Sequence, residues 1–193
     1  MSAETEAEVE QQLFGEQVSY FDRLPLDLEP LSLPLTSAQR ERLAARNVSV
    51  LRAVGVLEEH RGEPEDRTGT DGELARLDLK LNLVVELLGV VINMQRPLPP
   101  DQEVRLSHRG LSWTSDRLLA QPGDSVLVSL FLHACSAQAV QWDARLLASR
   151  DEGDGIHRCW AAFETMPDAM LKYLERLIFR HHRRQIAEER GSS

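Results

Sequence analysis

Residues 74–91, LARLDLKLNLVVELLGVV, place Leu74, Leu77, Leu81, Val84, Leu88 and Val91 at alternating steps of three and four. A helix puts those residues on one side, and a stripe this apolar is stable in water only when other helices cover it. In heptad terms Leu74, Leu81 and Leu88 take position a, and Leu77, Val84 and Val91 take position d. Leu at a with β-branched residues at d favours four parallel strands over two. Val85, Leu87, Ile92 and Met94 widen the apolar face beyond a dimer seam. The spacing therefore predicts a helix over 73–95 and a parallel homotetramer built on it. The competing arrangement is an intramolecular bundle of two or three helices. The segment LDLKLNL also alternates with period two, as a strand would, but the unbroken three/four spacing favours helix. Gly89 costs some helix propensity, and Pro97, Pro99 and Pro100 end the element.

Upstream, Thr36 and Gln39 form a T-x-x-Q capping box ahead of an apolar period at Leu43, Asn47, Val50, Val54 and Leu57, which predicts a helix over about 37–60. Asn47 stands at a core-type position, either as a boundary residue or as a polar pin for register and oligomer number. Residues 61–72, rich in Gly, Pro and charge, form the loop to the heptad helix. Before Thr36, Leu24, Leu26, Leu28, Leu31, Leu33 and Leu35 alternate with other residues, as in a half-buried strand. Pro25, Pro30 and Pro34 cannot donate ladder hydrogen bonds, which marks that segment as an edge or covering strand. Residues 1–12 are acidic and form a flexible tail, disordered or a frayed helix.

Beyond Pro100 the period becomes two. Val104 and Leu106 alternate with Arg105 and Ser107. Gly110 marks a turn, residues 121–124 (QPGD) another, and SVLVSLFLH at 125–133 reads as a central strand apolar on both faces. Val140, Trp142, Ala144 and Leu146 share one side of a long strand, DEGDG at 151–155 is a hairpin turn, and 156–163 returns. Short strands joined by tight turns suggest a small barrel. A last helix follows Pro167, with Met170, Leu171, Leu174, Leu177 and Ile178 on one face. Arg180, His181, His182, Arg183 and Arg184 near its end complement the helix dipole or offer a patch for an anionic ligand or partner.

A net charge of −9 over 193 residues disfavours a phosphate-backbone binder, so no nucleic-acid partner is expected. Cys135 and Cys159 show no zinc-site spacing and read as free buried thiols. The acidic N-terminus lacks the apolar core of a signal peptide, and Glu86 interrupts an apolar run too short to span a bilayer. These features predict a cytoplasmic protein without membrane insertion. Neighbouring Ser107 and His108 point to opposite strand faces and cannot make a triad. The histidines lack metal-ligand spacing. Neither an enzyme nor a metal site is expected.

VRLSHRGLSW at 104–113 holds an S-x-x-G strand-turn. PGDSVLVSLFL at 122–132, a long strand bearing Arg145, a Gly-containing hairpin, a strand ending at Phe163 and a C-terminal helix follow in order. This ordered set, over residues 100–185, resembles the PilZ domain, the bacterial family best known for binding cyclic di-GMP. The resemblance implies an α+β fold: a small antiparallel six-stranded β-barrel, here interrupted by two long helices, plus the C-terminal helix. The stretch expected to carry an upstream barrel strand holds the heptad helix instead. The chain is therefore divided into a flexible tail (1–12), the first part of the barrel (13–35), an inserted two-helix oligomerisation segment (36–98), and the remainder of the barrel with its helix (99–193).

The family's ligand motif is retained only as a remnant in Arg105, Ser107 and Gly110, because Arg105 stands where the family has Asp or Asn. Its R-x-x-x-R element has no counterpart in the matching place. Residues 12–35 hold only Arg23, and the pairs Arg42/Arg46, Arg105/Arg109, Arg176/Arg180 and Arg180/Arg184 lie elsewhere. Each charge-assisted hydrogen bond lost is worth roughly 1.5–3 kcal/mol, against about 8 kcal/mol for a micromolar complex in total. The expectation is a non-catalytic oligomeric regulatory adaptor with weak or no cyclic di-GMP binding and no other cofactor. Its signalling-protein partner is unknown, and the family implies control of motility, pili or virulence. The alternative is a direct receptor whose arginines come from an unusual position, such as the 180–184 cluster or a neighbouring subunit.

Overall fold

The structure is a computed structural model that describes residues 3–16, 18–59, 97–133 and 138–191, with Leu77, Lys80, Leu81, Leu83, Val84, Leu87, Leu88 and Val91. Six strands, β1 (Tyr20–Pro30), β2 (Asp101–Leu106), β3 (Gly110–Ser115), β4 (Ser125–Leu130), β5 (Val140–Gly153) and β6 (Ile156–Phe163), close an antiparallel barrel in the order β1-β2-β3-β6-β5-β4. Helices α1 (Ala3–Phe14), α2 (Ser37–Glu59) and α3 (Asp168–Gly191) surround it. The small barrel suggested by the strand pattern, and the six-stranded α+β architecture implied by the resemblance, are the ones observed.

The edge-strand expectation for the proline-rich segment is corrected. β1 pairs with β2 from Tyr20 to Pro25 and with β4 from Leu26 to Pro30. The change of partner falls at Pro25, whose missing N–H is not needed there, while its carbonyl accepts from Phe131 N–H at 3.1 Å. β1 thus closes the barrel, which leaves no edge to protect. β4 is also shorter than expected and buries one face, with Val126, Val128 and Leu130 inside.

β5 places Val140, Trp142, Ala144 and Leu146 in the barrel interior. Its register against β6 then slips between Leu146 and Ala148. An extra residue at such a bulge reverses the parity of the strand. Ala148 accordingly lies outside the barrel beside Trp160, while Cys159 and Ala161 point in. The 151–155 hairpin closes through Gly153, Asp154 and Gly155, all in the left-handed region (φ 91°, 53° and 77°), where Gly carries no Cβ penalty.

α2 begins at the capping box: Thr36 N–H donates to Gln39 Oε1 at 2.8 Å and Gln39 N–H to Thr36 Oγ1 at 3.4 Å. Val50, Leu51 and Val54 join Met170, Leu174, Leu177 and Ile178 of α3 in the barrel's own core. Burying each such aliphatic side chain is worth roughly 1.5–3 kcal/mol. Asn47, 1% exposed, is neither boundary residue nor oligomer pin. It bonds the backbone of Gln141 and docks α2 on β5.

Of the segment expected as a flexible tail, disordered or a frayed helix, residues 3–12 are helical. Residues 3–14 form α1, because Val9, Leu13 and Phe14 bury against Ala148 and Trp160 in a second cluster outside the barrel. Among the described residues no helix is long and apolar enough to cross a membrane.

Candidate functional site

The S-x-x-G turn joins β2 to β3. Ser107 is fully buried and its Oγ accepts from Arg109 N–H at 3.0 Å and Gly110 N–H at 3.3 Å. Its hydroxyl donates outward, to the Leu13 carbonyl at 2.8 Å. Gly110 lies so close to β6 that a Cβ there would overlap the Ala161 carbonyl oxygen and press on Leu13. The hydrogen-bonding capacity of the turn is therefore spent on its own loop and on α1.

Strand alternation sends Val104 and Leu106 into the barrel and Arg105 out. The Arg105 guanidinium lies 4.1 Å from the Phe14 ring centre and 4.9 Å from that of Phe21. Its Nη1 donates to Glu10 Oε2 at 2.8 Å and its Nε to Ser19 Oγ at 3.1 Å. The other Glu10 oxygen accepts from Trp160 Nε1 at 2.7 Å. Arg109 reaches the Gln12 carbonyl at 3.1 Å and Arg150 reaches Glu6 at 2.9 Å. Arg150 also pairs with Glu152 at the hairpin, and that hydrogen bond holds its proton more firmly than usual. The bonds to Arg158 and Arg150 in turn pull the Glu152 carboxyl below the ordinary range.

The three residues of the motif remnant, Arg105, Ser107 and Gly110, thus come together beneath one helix. Sequence reasoning left that segment as a disordered tail or a frayed helix and missed its packing on the barrel, and with it Glu10, Leu13, Phe14 and Trp160. The signal was present as E-x-x-V-E-x-x-L-F over residues 6–14, a helical stripe of acids and apolar residues. His108 turns away from Ser107, its Nδ1 3.8 Å from Glu175. Cys159 is buried in the barrel core, and burial pushes its thiol up to about 11. Cys135 lies outside the described residues.

Of the heptad positions, Leu77, Leu81, Val84, Leu88 and Val91 have helical backbone and are 51–57% exposed. Leu74 and the ends of the 73–95 helix lie outside the described residues. Leu83 and Leu87 are exposed as well. Exposed rows of large aliphatic side chains of this kind mark interaction surfaces.

The arginines near the C-terminus take a different place. Arg180 Nη1 donates to the Gly55 carbonyl at 3.0 Å, tying α3 to α2. Arg176, Arg180, Arg183 and Arg184 line an open groove of about 410 Å³ beside the exposed Phe179.

Residues 51–191 match the profile of a family described as atypical PilZ domain, cyclic di-GMP receptor. Among solved structures, the chain is similar to a pathogenic protein from Xanthomonas campestris, described as a new tetrameric PilZ domain self-assembled via an unusual helical bundle. The two share 27% identity with a TM-score of 0.75, over 96% of this chain and 99% of that one. No curated protein matches the chain.

Proposed function

Because the chain belongs to the atypical PilZ family, we propose that it is a non-catalytic, oligomeric regulatory adaptor in cyclic di-GMP-linked signalling, with weak or no direct binding of the nucleotide. The observation that carries this is the occupation of the motif remnant. Arg105 is held by Glu10, Phe14 and Phe21, and Ser107 by Leu13. A bis-phosphate ligand needs paired guanidiniums for its phosphates and bases, and here the motif's one guanidinium is committed to the chain's own helix. The exposed heptad row supports assembly as a parallel tetramer through the 73–95 helix, in line with the tetrameric relative. The processes regulated would be those the family serves, motility, pili or virulence, inside the cytoplasm.

Titration calorimetry with cyclic di-GMP tests the nucleotide part. No heat at 10 micromolar ligand is expected, and a dissociation constant below about 10 micromolar, roughly −7 kcal/mol, overturns it. Light scattering tests the assembly part: a particle of four times the 21.8 kDa chain mass is expected, and a monomer at micromolar concentration refutes it.

The runner-up is a direct receptor whose ligand sits in the α3 groove. It is favoured by one observation, the convergence of Arg176, Arg180, Arg183 and Arg184 around Phe179. In that case binding survives Arg105→Ala and is lost in Arg183→Glu.

A further inference from the structure

The five hydrogen bonds described between α1 and the barrel all run one way. The donors are on the barrel: Arg105 and Trp160 to Glu10, Arg150 to Glu6, Ser107 to the Leu13 carbonyl, and Arg109 to the Gln12 carbonyl. The acceptors are two carboxylates and the carbonyl end of a helix, which carries the negative pole of its dipole. An electropositive cradle therefore receives an electronegative rod. Beneath the polar bonds, Val9, Leu13 and Phe14 rest on Ala148 and Trp160 in a cluster separate from the barrel core.

α1 has 12 residues, and a helix of that length is marginal in water by itself. It is folded because this face folds it. The barrel interior, closed by α2 and α3, has its own core without it. Segments joined to a domain by a small satellite cluster open at lower free energy than the core does.

We propose that the α1 seat is a docking surface for an acidic amphipathic helix of a partner protein, and that α1 is its intrachain occupant. The seat specifies the partner: acids four residues apart, with apolar side chains three, seven and eight positions after the first acid, the pattern of Glu6, Val9, Glu10, Leu13 and Phe14. Partner binding releases α1, and release exposes Arg105, Arg109, Arg150 and Trp160 together. This gives the adaptor function proposed above a contact surface and rests on that function, but the surface is independent of the heptad helix.

The probe is a fluorescein-labelled peptide of residues 3–16, titrated by anisotropy against full-length protein. In the wild type, tethered α1 competes at an effective concentration in the millimolar range. Leu13→Asp puts a charge into the satellite cluster and vacates the seat. Its affinity for the peptide is expected to exceed that of the wild type by about tenfold or more and to fall as salt rises. Adding Arg105→Glu, or using a peptide with Glu10→Arg, abolishes binding. Equal affinity in wild type and Leu13→Asp, or indifference to Arg105→Glu, overturns the proposal. So does a Leu13→Asp protein that takes cyclic di-GMP and not the peptide, which makes the seat a nucleotide site.

If Leu13→Asp fails to fold by circular dichroism, amide exchange of the wild type decides. α1 amides exchanging well ahead of β3 and β6 support a displaceable helix, and exchange only on global unfolding overturns it. Light scattering on the same samples separates the two questions. A tetramer that rejects the peptide sinks only this surface, and a monomer that binds it sinks only the tetramer.

Discussion

Asn47 pairs with the backbone of Gln141 as a neighbouring strand would. Its Nδ2 donates to the Gln141 carbonyl, and its Oδ1 accepts from the Gln141 N–H at 2.9 Å. β5 reaches its β6 partner only from Ala144 onward, so Gln141 would otherwise present an unpaired amide under α2. Asn47→Ala leaves two buried backbone groups unsatisfied and is expected to cost roughly 2–4 kcal/mol. Asn47→Asp costs at least as much, since a carboxylate then faces a carbonyl. Urea unfolding measures both. A loss below about 1 kcal/mol in Asn47→Ala would mean that α2 is not anchored there.

Leu81→Asp places a charge at a central a position, yet Leu81 is exposed in the subunit and absent from the barrel core. The variant is expected to sediment as a 21.8 kDa monomer whose barrel still melts cooperatively. Loss of both assembly and folding would show that the subunit cannot stand alone.

Gly110→Ala must push β3 away from the Ala161 carbonyl and the Leu13 side chain at once. Overpacking against backbone in a closed barrel is expected to cost about 3 kcal/mol. Thermal melting checks this.

Cys159 gives a pH dependence with a definite sign. Burial raises its thiol pKa to about 11 in the folded chain, whereas an unfolded thiol titrates near about 8.5. Unfolded chains therefore lose the proton first as pH rises. The stability linked to this group is full below the unfolded value and is lost progressively as pH rises through the folded one. In a Cys135→Ser background, the stability difference between Cys159 and Cys159→Ala protein should move in favour of the alanine variant between those two values. Thiol reagents at neutral pH should label Cys159 only at the rate of unfolding.

The parts legible in the sequence were those with a period. Strand alternation gave the interior of β5, the T-x-x-Q spacing gave the start of α2, and the three/four spacing gave the helical backbone at Leu77, Leu81, Val84, Leu88 and Val91. What was not legible depended on pairings distant in sequence. Nothing local to Pro25 says that β1 changes partner there, and nothing local to Leu147 says that β5 bulges. The docking of α1 was missed because its acids have no visible partner until Arg105, Arg150 and Trp160 are known to lie opposite. The same absence hid the state of the S-x-x-G turn, whose residues were recognisable while their occupant was not.

β1 and β2 are adjacent in the barrel, with Pro25 opposite Asp101, although α2 and the heptad segment come between them in the chain. The entropy of closing such a loop grows only with the logarithm of its length, about 0.6 kcal/mol for each doubling. Adding or removing a whole heptad between them should change the folding free energy of the barrel by no more than about a few tenths of a kcal/mol. The distal part of the excursion is thus almost weightless for the fold that hosts it. Selection can lengthen, shorten or re-pattern the heptads to set how many subunits meet, and the barrel with its α1 seat is inherited unchanged.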